Sequence, residues 1–135
     1  MPSDFTVIVS VRHHFGNEPG LHPGVFAGAN KEFPFDCPGV DPSKEAVLLF
    51  QALDVDNVTN FIDINGTPLS EPSVSGGIPL TQSARDWNGN VMLVRPNVLR
   101  ENNTLRIGAR DDRGSLLGNL DDFVIDNVVI FFKTR

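Results

Sequence analysis

Apolar and polar residues alternate with a period of two in several stretches of the chain, and no stretch carries a convincing helical period. In residues 5–12, Phe5, Val7, Val9 and Val11 share one face and Thr6, Ser10 and Arg12 the other, with Ile8 as the exception. That pattern predicts a half-buried strand. Residues 46–55 are apolar on both faces, with Val47, Leu49 and Leu53 on one and Leu48, Phe50 and Ala52 on the other. They predict a central strand covered on both sides. Asn65-Gly66 sits between the apolar runs 61–64 and 67–69. Both residues tolerate positive φ, so the pair predicts a type I′ hairpin.

Further on, residues 91–95 predict a short strand stopped by Pro96, and Val98-Leu99 an apolar tuck. Residues 104–110 predict a strand with Leu105, Ile107 and Ala109 inward, and the last strand runs to Phe132. Asp126 lies in that strand among apolar neighbours. An unpaired charge buried there would cost several kcal/mol, so the pattern predicts a partner for it, either a bound cation or an arginine such as Arg106 or Arg110. Residues 13–43 hold Pro19, Pro23, Pro34, Pro38 and Pro42 among five glycines. This predicts a long ordered loop region, with at most a short strand near residues 25–26 or 32–35. Residues 70–90 are polar and turn-rich. About seven strands without a helix or repeat predict an all-β protein of two packed antiparallel sheets.

Composition narrows the function. At 135 residues the chain is expected to form a single β-sandwich domain with its own core. Ten Phe, one Trp and no Tyr make the aromatics mainly core material. The net charge is −6 and the basic residues are scattered singly, which argues against nucleic acid and against an anionic membrane surface. Cys37 is the only cysteine, so no internal disulfide forms. No apolar run approaches a bilayer span, and no basic leader or cleavage site opens the chain, so a soluble protein is expected.

The order of motifs carries a resemblance. Ile62 to Gly66 reads "-I-D-I-N-G-", a polar loop with Trp87 follows, Val98 to Ile107 reads "-V-L-x-x-x-N-T-L-x-I-", and Asp122 to Val128 closes as "-D-F-x-I-D-N-V-". Together, over roughly residues 45–133, these resemble the galactose-binding-domain-like jelly roll. That β-sandwich is shared by many carbohydrate-binding modules. The resemblance implies a jelly roll of nine or so strands, often with a structural calcium and a sugar site at the loops of one end. It also implies an extracellular setting. The acidic metal-ligand motif those families carry near the N-terminus is not matched here, where only Asp4 is near the first strand, and Trp87 has no second exposed aromatic to form a platform.

Three constellations could carry chemistry. Arg85, Asp86, Trp87, Asn88 and Asn90 supply an aromatic face and planar polar groups, the inventory of a sugar site; equally, Trp87 could plug the end of the core. Asp111, Asp112, Asp121, Asp122 and Asp126 gather around a Gly-containing loop and could give calcium its oxygen ligands; equally, they could be solvated, cap turns or pair with arginine. His13, His14, His22 and Cys37 match no zinc spacing, and adjacent histidines on a strand point to opposite faces. The sequons at Asn57, Asn65 and Asn102 matter only in a eukaryotic secretory setting. No nucleophile elbow, zinc-protease motif or phosphate loop is present, and the chain is expected not to be an enzyme. The expected function is a non-catalytic binding module for carbohydrate. The alternative is a structural or assembly domain acting through protein contacts or self-association, with Phe131, Phe132 and residues 33–35 as candidate contact surface.

Overall fold

A computed structural model describes residues 2–71, 74–75 and 77–135, with 70–71 and 74–75 as backbone only. Twelve strands occur among the described residues: β1 (Ser3–Val9), β2 (His13–Phe15), β3 (Val25–Gly28), β4 (Asn30–Asp36), β5 (Ala46–Leu53), β6 (Phe61–Ile64), β7 (Thr67–Pro68), β8 (Ser70–Glu71), β9 (Val74–Ser75), β10 (Asn88–Val94), β11 (Asn102–Gly108) and β12 (Phe123–Lys133). They make two sheets. The larger has the order β3-β2-β12-β5-β10-β8-β9, with β1 also on β12, and the smaller has the order β4-β11-β6-β7. The pairs are antiparallel except β2–β3, which is parallel. The protein is an all-β two-sheet sandwich. No helix among the described residues is long and apolar enough to cross a membrane.

One continuous core fills the space between the sheets. Leu48, Phe50, Met92, Val94, Ile130 and Phe132 come from the larger sheet, and Phe33, Phe35, Ile62, Ile64, Leu105 and Ile107 from the smaller. Each such side chain contributes about 1.5–3 kcal/mol by leaving water. Val55, Ile78, Val98, Leu99 and Leu120 pack against this core from the loops. The hairpin forms as the Asn-Gly signal predicts, with φ of 53° at Asn65 and 81° at Gly66. The Asn65 side chain is committed to it, donating to Val98 O at 2.8 Å and accepting from Thr104 N–H at 3.0 Å.

Three expectations are corrected. Residues 13–43 hold more strand than the one short strand expected: β2, β3 and the seven-residue β4 take up nearly half of the segment. Pro34 is tolerated inside β4 because β4 is an edge strand, where a missing N–H breaks no second ladder. The apolar row of β1 faces outward, not inward: Phe5 is 57% and Val7 51% exposed. Only Val9 reaches the core, after a register shift between Val7 and Val9. Finally, β5 is central but covered on one face only, leaving Leu49 and Gln51 exposed.

The last strand contains a second bulge, between Asp126 and Val129, with Asn127 at φ 51°. Phe123 and Ile125 fill the core before it; Val128, Ile130 and Phe132 do so after it. An odd-numbered inner face thus becomes an even-numbered one, because one extra residue reverses the pleat.

Candidate functional site

The five residues of the expected sugar site do not converge. Arg85 and Asp86 are exposed in the loop before β10. Asn88 and Asn90 lie on the inward side of β10, since the pleat that buries Met92 and Val94 also takes positions 88 and 90. Asn88 donates to Leu80 O at 3.3 Å, and the buried Asn90 donates to Asn88 O at 3.4 Å. Asn88 thus latches the preceding loop, and Asn90 bonds within its own strand. Trp87 does not plug the core: it is half-buried at the surface, with the Arg12 guanidinium 5.0 Å from its ring centre.

The carboxylates are divided among separate tasks. Asp111 Oδ1 accepts from Arg113 N–H at 2.9 Å and Ser115 N–H at 2.8 Å, closing its own loop. The N–H groups of Ser115, Arg113 and Gly118 hold its carboxyl below the usual range. Asp112 is exposed. Asp121 is buried, and its Oδ2 accepts from Asp56 N–H, Asn57 N–H and the Asn60 amide at 2.8, 3.0 and 2.7 Å. Burial nonetheless pushes its pKa up. The same happens at Asp56, through burial and then through Asp54 and Asp121 nearby. Asp126 sits half-exposed at the bulge and, among the described residues, accepts from Asn127 N–H alone. The arginine partner expected for it is not there. Arg106 pairs with Asp63 at 2.8 Å, and Arg110 donates to Asn30. Asp126 needs no counter-ion because the bulge keeps it in water. Among the described residues, no three His, Cys, Asp or Glu side chains are arranged to hold a metal ion, so the geometry gives calcium no support.

Of the histidines, His14 and His22 do meet. Their ring centres are 5.1 Å apart, nearly perpendicular. His14 Nε2 lies 2.8 Å from Asp122 Oδ1, and His22 Nε2 lies 3.0 Å from Asp54 Oδ2. His14 is fully buried, and its Nδ1 has no hydrogen-bond partner among the described residues. A chain separation of 108 residues hides the His14–Asp122 pair from sequence reading. His13 turns away, its Nδ1 against Val11 O and its ring edge-on to Phe33. Cys37 is a free thiol buried in the core, its pKa pushed up to about 12 by burial and by Asp36 and Asp4.

The feature that sequence reasoning missed is the outer face of the larger sheet. Register aligns Phe5, Phe131, Val47 and Leu93 in one row across β1, β12, β5 and β10. The next row holds Val7, Val129, Leu49 and Val91. Val91 is 63% exposed, and Phe5, Val7, Leu49, Leu93 and Phe131 are exposed as well. Leu49, Val91, Val129 and Phe131, with Gln51 and Asn127, line a shallow depression of about 450 Å³. Of the expected contact residues, Phe131 belongs to this face, whereas Phe132, Phe33 and Phe35 are core. The signal for it is the two-faced apolarity of residues 46–55, a pattern that an internal strand covered on both sides would share.

What fold and site define together is an all-β sandwich with an apolar outer sheet face. Compared with known proteins, the chain has no significant match among family models, curated sequences or solved structures.

Proposed function

We propose that this chain is a non-catalytic binding module that makes protein contacts through the outer face of its larger sheet. One observation carries the reading: of the eight apolar side chains in two adjoining rows four strands wide, six are exposed and Val47 and Val129 are half-buried. Single exposed apolar residues are ordinary, whereas a contiguous patch of this extent is a contact surface or an aggregation hazard. A photo-crosslinking amino acid at Val91, compared with one at Glu32 on the outer face of the smaller sheet, tests it. Protein adducts are expected from position 91 and not from position 32. Equal yields, or none from 91, would remove the reading.

Carbohydrate capture is a second reading, and Trp87 favours it. Its ring is partly exposed beside Arg12, Arg85 and Asp86, rather than spent in the core. Titrating simple sugars and oligosaccharides while following Trp87 fluorescence tests this. A saturable change that is lost in Arg12→Ala supports it, and a flat response across the panel disposes of it.

A further inference from the structure

Resting on the protein-contact reading, we infer that the partner of the outer face is a second copy of this chain, related by a two-fold axis that runs along the strands between β12 and β5.

The residues bounding the apolar rows select that partner and that axis. Beyond the row of Phe5, Phe131, Val47 and Leu93, the same face continues with Ser3 and Lys133, which are paired in the β1–β12 ladder. One step past the ends of the β5 and β10 ladders, it continues with Glu45 and Arg95. Lys133, Glu45 and Arg95 are exposed. Across the sheet this row therefore reads neutral, positive, negative, positive. A two-fold axis parallel to the strands reverses the strand order and keeps the rows in place. It sets Lys133 of each copy opposite Glu45 of the other, and Arg95 opposite Ser3. No like charges meet in that row. The apolar rows then match large against small, Phe131 over Val47 and Phe5 over Leu93, while Leu49 faces Val129. At the other end, Asn127 already donates to Gln51 at 2.6 Å, so this border is polar and uncharged. An in-plane axis across the strands would instead place the charged row over this amide border and leave Lys133 and Glu45 unmatched.

Packing distance and area agree with a weak dimer. Face-to-face sheets stand about 10 Å apart, a gap that a Lys and a Glu side chain bridge together. Four strands about 4.8 Å apart and four rows about 6.8 Å apart give a footprint of about 500 Å² in projection. Stable interfaces bury roughly 800 Å² per partner, so this one belongs to the small, reversible class. A face of isologous contacts closes at two copies.

Sedimentation of the full chain from about 5 µM to about 500 µM, the range where small interfaces dissociate, reads the outcome. The chain should pass from monomer to dimer. Glu45→Lys alone and Lys133→Glu alone should each weaken the dimer about tenfold, and the two together should restore it. Val91→Asp should abolish it, with an unchanged far-ultraviolet spectrum showing that each variant folds. A strict monomer throughout, with an apolar fluorescent dye bound by the chain and lost in Val91→Asp, overturns the self-association and leaves the contact face standing. A dimer unaffected by Val91→Asp overturns self-association through this face, and if the dye too is indifferent to that change, it overturns the contact reading with it. A dimer that Val91→Asp abolishes but the charge pair does not rescue rejects the axis.

Discussion

At Asp121, three donors share one carboxylate oxygen, and through them residues 56–60 are tied to the start of β12. Asp121→Ala would strand those donors in a dry site, so a loss of about 2–4 kcal/mol is expected in denaturant unfolding. Asp121→Asn keeps an acceptor oxygen and removes a charge that burial disfavours; its expected cost is below about 1 kcal/mol. A neighbouring case turns on sterics. Gly16 has φ 135°, and a Cβ added there would run into the Asp122 carboxylate that holds His14. Gly16→Ala is therefore expected to cost about 2–3 kcal/mol. It should also shift the ring-nitrogen resonances of His14 in the folded protein, which a purely backbone effect would leave alone.

At the scale of elements, legibility in the sequence followed locality. The β6–β7 hairpin was readable because Asn65 and Gly66 are adjacent and each permits the needed φ. Leu105, Ile107 and Ala109 face inward as their alternation predicts. The facing of β1 was not readable, because alternation reveals two faces but not which one meets the other sheet. The bulge at Asn127 was hidden too: its register depends on the neighbouring β5 and β1, not on the local string. The same non-locality dispersed the expected sites. The pleat of β10 turned Asn88 and Asn90 inward; Asp111 closes its own loop, Asp121 holds residues 56–60, and Asp126 stands at the bulge of β12. Asn127 offers a test at this scale. A β-branched residue resists positive φ, so Asn127→Val should cost about 1–3 kcal/mol, and Asn127→Gly much less, in thermal unfolding.

For the molecule as a whole, the perturbed carboxylates predict how stability varies with pH. Asp56 and Asp121 are raised in the folded state, so the fold takes up their protons more readily and gains stability as pH falls through their folded values. Asp41 and Asp111 are lowered, and their contribution, present above the ordinary carboxylate range, is lost as pH falls below it. Thermal unfolding should accordingly be hardest on the acid side of neutral, and Asp121→Asn should flatten the slope above that maximum. The core that keeps this sandwich closed has a practical consequence through Cys37. A sulfur so enclosed and so reluctant to ionise stays silent toward maleimides and disulfide reagents. One cysteine placed on any exposed strand would then be the sole responsive handle, ready to carry a spin label or dye without first removing the native thiol.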